Sequence, residues 1–360
     1  MKVARGGCGV YHEEVFTLRG IAGVLIVACV PAAYGAAWGH GADAQSPVEQ
    51  AARTSLLEEF GQGFSLHETE HFLLVHNVKA IVAKWLAGQM EGTYKRNVAL
   101  AKSLRVPIEE SPHRLEVVLL DRFEQFAQYA ETVGFVPDNT RGFYDERKNR
   151  STFFNAFNDP QVEEFNSKVD QLEAREGPHS RQVRELRRYV NRHARSYLRA
   201  AMRHELSHQV QFNCGLLHRG ADTPVWLAEG LACLFEPAGG SGPRSQAVNQ
   251  VRLRRFHEAA GKNELMGIRE LLNARPQAGD DLERADRFYA QAWALVYYLV
   301  RYRARLMATY LETIRSRVPG KETPDEEEIA VFERVFGEIN ERMEGRWHKA
   351  ILRIKPAPAR

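Results

Sequence analysis

Cysteine is scarce: the chain has four in 360 residues, and Cys8 and Cys29 both precede the body of the protein. That leaves Cys214 and Cys233, enough for one internal disulfide at most, so a disulfide-built scaffold is excluded. Long apolar runs are also missing. The longest, Gly20 to Ala33, has fourteen residues, whereas a membrane-crossing helix needs about 20. Charge of one sign is not in excess either. Lys and Arg total 49 against 46 Asp and Glu, a net +3 that by itself implies no polyanionic partner. With 44% apolar and 26% charged residues, the chain is of ordinary globular composition, long enough for one large domain or two lobes.

The Gly20–Ala33 stretch follows Arg19 and precedes the small residues Ala33-Tyr34-Gly35-Ala36. It suits the h-region of a signal peptide, so residues 1–35 are expected to direct export to a periplasmic, extracellular or membrane-anchored location. An uncleaved anchor is one competing reading. A lipobox at Ile26-Val27-Ala28-Cys29, tethering the chain through Cys29, is another. Export would permit a disulfide between Cys214 and Cys233; two buried thiols acting as small hydrophobes are the alternative.

Residues 36–62 are small and polar, then mildly helical, and read as a linker. Residues 63–160 alternate strand and helix signals. His71–His76 and the Leu/Val-rich Arg114–Leu120 are strands, Val78–Leu104 has helical spacing, Asp121 is placed to cap a helix through Ala130, and Gly142–Asp145 with Ser151–Asn155 forms a hairpin. Residues 161–352 read as a helical lobe that opens on a charged segment, 161–180, broken at Gly177-Pro178. One helical run follows from about Ser180 to Cys214, roughly 50 Å long at 1.5 Å per residue, with later runs at 246–260, 267–274, 284–302, 303–317 and 326–352, and a frayed tail at 353–360. The fold class expected is α+β, mainly helical, with a small mixed sheet beside a helical lobe.

The long run ends in Arg203-His204-Glu205-Leu206-Ser207-His208, which contains H-E-x-x-H. Residues i and i+4 share one helix face, so His204 and His208 can grip one ion. Zn²⁺ suits two imidazoles, a carboxylate and an open position. Glu205, one residue round, is placed to hold a zinc-bound water and take its proton as general base. A third ligand, Glu229, lies on a second helix-compatible run in Trp226-Leu227-Ala228-Glu229-Gly230; Asp222-Thr223-Pro224 is a good start for that helix. With two histidines and Glu229 at hand, neither cysteine is needed as a ligand. Ligating imidazoles usually donate their second N–H to an acceptor; Glu236 is one candidate.

H-E-x-x-H followed by W-L-x-E-G resembles the gluzincin (peptidase MA-like) zinc metallopeptidases. The segment Tyr289–Leu299 is similar to the one in which several gluzincins carry an oxyanion-binding tyrosine. The resemblance covers about residues 64–315. It implies a zincin-like helical lobe, a Zn²⁺ cofactor, a peptide or protein substrate, Tyr289 as a catalytic hydrogen-bond donor, and an edge strand of the small sheet lining the cleft. A core tyrosine is the other reading of Tyr289. Gly88-Gln89-Met90-Glu91-Gly92 echoes an aminopeptidase G-x-M-E-N motif but ends in Gly, stands far upstream and places Met90 on an apolar stripe, so it is assigned to the core.

Two further readings stay open: a zinc-bearing binding or scaffold protein without turnover, and a binder of nucleic acid or anionic polymer through the row Arg181, Arg184, Arg188, Arg192, Arg195, Arg199 and Arg203. Intact Glu205 weighs against the first. The lack of an interleaved aromatic ladder weighs against the second, which a solvated face paired with local acids also explains.

Overall fold

The computed structural model describes residues 47–137, 140–237, 247–276 and 281–357. The export segment expected at 1–35, most of the Gly-rich loop after Pro237 and the end of the tail lie outside them. Among the described residues no helix is long and apolar enough to cross a membrane.

Strands β2 (Phe72–His76) and β3 (Leu115–Leu120) are nearly continuous apolar runs, the pattern of strands covered on both faces. Their side chains alternate with the two-residue strand period. Phe72, Leu74, Leu115, Val117 and Leu119 enter one core cluster; Leu73, Val75, Val118 and Leu120 enter another. With β1 (Ser65–Glu68), β4 (Gly142–Asp145) and β5 (Arg150–Phe154) they build a sheet of order β1-β2-β3-β5-β4. The two inner pairings are parallel and the two outer ones antiparallel. The sheet is thus mixed, and β4 is an edge.

Helices α1 (Pro47–Phe60) and α3 (Phe123–Thr132) cover one face, through Leu56, Phe126 and Ala130. On the other face lie α2 (Ala80–Ser103) and α5 (Arg181–Gln211), which share a large core with the C-terminal helices. Those are α6 (Val225–Cys233), α7 (Gln250–Gly261), α8 (Ile268–Asn273), α9 (Leu282–Tyr302), α10 (Ala304–Arg315), α11 (Asp325–Phe336) and α12 (Glu341–Leu352). The molecule is mainly helical with one small mixed sheet, an α+β fold. The sheet region and the helical region share one core cluster, in which Phe72 and Val117 belong with Trp226 and Trp293.

Several expectations need correcting. The linker at 36–62 contains α1, held less by apolar periodicity than by ionic anchors. The buried Glu49 carboxylate accepts from the Arg114 backbone N–H at 2.8 Å, and Arg53 pairs with Glu68 at 2.7 Å. Asp121 does not cap α3. Its carboxylate accepts from Asn155 Nδ2 at 3.0 Å, while the Gln125 side chain returns to the Arg122 N–H at 3.2 Å and closes the first turn. The run 326–352 is two helices, broken where Gly337 takes φ 95°, a conformation that costs a residue with a Cβ. The charged segment after residue 160 is helix α4 (Pro160–Glu176), capped by Asp159 and paired with the first half of α5 through Val169, Val183 and Val190. Met90 is fully buried, as its apolar stripe predicts.

The basic row on α5 divides. Arg181 pairs with Glu185 at 2.7 Å. Further along, Arg195 and Arg199 sit over the rings of Phe157 and Trp85, and Arg203 donates to the Glu236 carbonyl and the Gln89 side chain. That end of the row is built into the packing.

Candidate functional site

Helix α5 changes character along its length. Its first half is solvated on one side, whereas every residue from His204 to Gln211 is buried. Polar side chains on that half fix it in place. Gln209 Nε2 donates to the carbonyls of Glu116 (3.0 Å) and Asn149 (2.7 Å), and its Oε1 accepts from Ser151 Oγ (2.9 Å). On the α2 side, Asn97 donates to Ser207 Oγ at 3.1 Å and accepts from Gln211 Nε2 at 2.9 Å. Burying so many amides is tolerable because each side chain finds at least one partner, although Gln211 Oε1 has none, and the result fixes α5 between sheet and α2. The same buried stretch carries His204, Glu205 and His208.

Helix α6 brings the third group. It leaves Thr223-Pro224 and runs against α9 so closely that a Cβ on Gly230 would stand 2.5 Å from the Ala292 carbonyl oxygen. Only glycine permits that approach, and it sets the adjacent Glu229 against the two histidines. Glu229 Oε2 lies 3.0 Å from His204 Nε2 and 3.6 Å from His208 Nε2. One ligand atom from each of the three lies within 4.8 Å of the others. Tetrahedral bonds of about 2.0–2.1 Å place ligand atoms roughly 3.3 Å apart, so these three buried side chains could hold a metal ion. The sequence motifs and the geometry converge on the same residues.

Hydrogen bonding supports that fit. His204 also meets Glu236 Oε1 through Nδ1, at 3.0 Å. A neutral imidazole has one N–H and cannot donate to both carboxylates; a cation at Nε2 would leave Nδ1–H for Glu236, the usual outer arrangement of a metal-bound histidine. His208 is buried with neither ring nitrogen hydrogen-bonded, and both carboxylate oxygens of Glu205 are likewise without a partner. A buried unsatisfied polar group costs about 1–3 kcal/mol, so such groups gathered round one point are what a ligand-binding centre leaves behind.

Glu236 is itself held. Arg252 donates to Oε1 at 2.7 Å and to Oε2 at 3.2 Å, Asn249 donates to Oε2 at 2.6 Å, and Arg252 also faces Asp286 at 3.6 Å. Arg252 therefore neutralises Glu236, leaving Glu205 and Glu229 to share the histidines. A divalent cation at that point would favour the ionised form of both carboxylates. His204, Cys233 and Glu236 form a second, overlapping donor group. It is the poorer one, because Glu236 is already committed to Arg252 and burial pushes the Cys233 thiol up to about 11.

The titration directions separate the carboxylates. Burial would raise Glu229, but His208 and His204 hold it down at about 2. Burial would raise Glu236 too, and Arg252 with His204 holds it well below the carboxylate range. Glu205 has no such counterion: burial drives its carboxyl well up against the opposing pull of His204. For His204, burial acts downward but is overcome by Cys233, Glu229 and Glu236; for His208 burial prevails.

Tyr289 comes from α9. Its buried ring centroid lies 6.3 Å from that of His204, with the Arg252 guanidinium 5.2 Å from its face. Burial, and then the charge of Glu229, push its phenol well above 10. The edge strand β4 reaches the site as well. The Tyr144 backbone stands close enough to Glu205 to draw its carboxyl down, less than burial raises it. Both cysteines are buried free thiols; Cys233 Sγ lies 3.4 Å from Glu236 Oε1. The supporting residues Asn249, Arg252 and Asp286 escaped sequence reading because nothing in the local pattern of α7 or α9 links them to Glu236.

Comparison with curated proteins gives no match. Residues 199–321, the span that carries His204, Glu205, His208, Glu229 and Tyr289, match the profile of a family described as a protein of unknown function, DUF1570.

Proposed function

We propose that this chain is an exported zinc peptidase of gluzincin type, with His204, His208 and Glu229 as ligands and Glu205 as general base. One observation carries the reading: a buried His-His-Glu cluster stands beside the Glu205 carboxylate, which has no hydrogen-bond partner and follows His204 on the helix of the two histidines. A zinc ion held there would supply Lewis-acid polarisation and water activation near neutral pH.

The chain's own groups do the rest. Glu205, lacking any competing hydrogen bond, takes the proton of the attacking water and delivers it to the leaving amine. Tyr289 donates its phenolic hydrogen to the developing oxyanion; burial keeps that phenol protonated, the state a donor needs. Glu236 orients the His204 ring and is kept ionised by Arg252. The β4 edge supplies backbone groups along which an extended peptide can lie beside Glu205.

The full burial of all three ligands favours a second reading, a metal-bearing binding protein, since structural metal sites are closed. Cleavage of casein or a fluorogenic peptide library separates the two. The peptidase reading predicts activity that disappears on chelation and returns with added zinc; retained zinc with no cleavage of any substrate supports the binding protein instead. Glu236→Gln is expected to weaken metal affinity by about 10–100-fold, measured by competition with a chelating dye.

A further inference from the structure

Beyond the histidine site, α9, α11 and α12 enclose a cavity of about 210 Å³, room for roughly seven water volumes at about 30 Å³ each. Its interior is aromatic: Phe332 and Trp347 are buried side chains that line it, with Phe336 beside them. The indole N–H of Trp347 finds no acceptor among the described residues. Its margin is basic. Arg303, Arg342 and Arg346 line the cavity and are exposed, against a single lining acid, Glu338.

The arginines of the helical region differ in their pairing. In the same helical region Arg269, Arg287, Arg315 and Arg317 are each paired with a carboxylate: Glu333, Glu264, Glu109 and Glu328 respectively. Arg303, Arg342 and Arg346 form no ion pair with a described acid; the one contact of Arg303 is with the adjacent Tyr302 carbonyl. Three guanidinium groups gathered round an aromatic hollow match a ligand with an oxyanion at one end and an apolar body. Arg favours carboxylate because its planar fork can bind both oxygens, and the apolar body would gain by leaving water.

We propose that this cavity binds a small amphipathic monocarboxylate, its carboxylate at the Arg303/Arg342/Arg346 margin and its apolar body against Phe332, Phe336 and Trp347. The site is separate from the histidine cluster. Leu295, Tyr298 and Leu299 of α9 line it, and Tyr298 lies nine residues, about 13 Å along the helix, from Tyr289. The proposal does not depend on the metal reading.

Octanoate is a suitable probe and 1-octanol its uncharged counterpart, each titrated into the full chain by calorimetry, with tryptophan fluorescence as a second signal. Octanoate is expected to saturate one site per chain. Octanol should bind about tenfold more weakly, the loss of one charge-assisted contact, and added salt should weaken octanoate alone. The double variant Arg342→Gln/Arg346→Gln should weaken octanoate by about tenfold or more and leave octanol unchanged. Both positions are exposed, and a thermal melt checks that the variant is folded. Absence of saturable octanoate binding, equal affinity for octanol, or unchanged octanoate affinity in the folded double variant would each overturn the proposal.

Discussion

Glu205→Gln is expected to lower peptide cleavage by about 10²–10⁴-fold, equivalent to about 2.7–5.5 kcal/mol of transition-state stabilisation, while the metal content stays the same. The substitution is nearly isosteric and changes no ligand. It removes only a group able to accept a proton, in a place where both side-chain oxygens lack other employment. Stability should not fall, because burial already disfavours the carboxylate form of Glu205 and a neutral amide avoids that penalty. Initial rates on a fluorogenic peptide, with metal analysis and a thermal melt of the same preparation, check all three parts. A folded, metal-loaded variant that cleaves at the wild-type rate would remove Glu205 from the chemistry.

Gly230→Ala should damage both stability and activity. An added Cβ would meet the Ala292 carbonyl oxygen and Val296 Cγ2, each at 2.5 Å. One neighbour is backbone, so α6 or α9 has to move. Overpacking of this kind costs typically about 1–3 kcal/mol, of which better helix propensity returns up to about 1 kcal/mol. Because Glu229 is the preceding residue, the same displacement moves a ligand, and a shift of about 1 Å can lower turnover by about 10²-fold. Gly88→Ala and Gly92→Ala on α2 are the controls. Neither would meet any atom within 4 Å, so they should stabilise the protein by up to about 1 kcal/mol. Urea unfolding of the three variants compares them directly. Gly230→Ala behaving like the two controls would show that α6 and α9 do not meet as described.

Much of the molecule was readable from the sequence where the signal is local. H-E-x-x-H on a helix, Glu229 on the helix after Pro224, the Leu/Val run of β3 and the hairpin of β4 and β5 all depend on neighbours within a few residues, and each appears where those neighbours place it. Neither Asp222 nor Thr223 caps α6, however: Asp222 accepts from the Thr323 N–H and Thr223 donates to the Ala221 carbonyl. Long-range ionic contacts were not readable. α1 depends on Glu49 meeting Arg114, 65 residues later, and α4 on a partnership with α5 that its charged sequence does not announce. Within the site, the ligands and Glu205 carry a spacing that periodicity reveals. The layer behind them is less legible: Glu236 could be named only as one candidate acceptor, and Asn249, Arg252 and Asp286 come from other segments, joined to it only by the packing of α6, α7 and α9. The two cysteines show the same limit. Their spacing suited either a disulfide or a pair of thiols, and the fold leaves both free, with Cys233 beside Glu236.

Metal content of the purified full chain, measured by mass spectrometry after dialysis, tests the central claim most directly. The account predicts one zinc per chain in the wild type and loss of that zinc from His208→Ala and from Glu229→Ala, while Glu205→Gln retains it. A wild-type chain that takes up no zinc when it is supplied, or folded His208→Ala and Glu229→Ala variants that hold it as firmly as the wild type, would contradict the account.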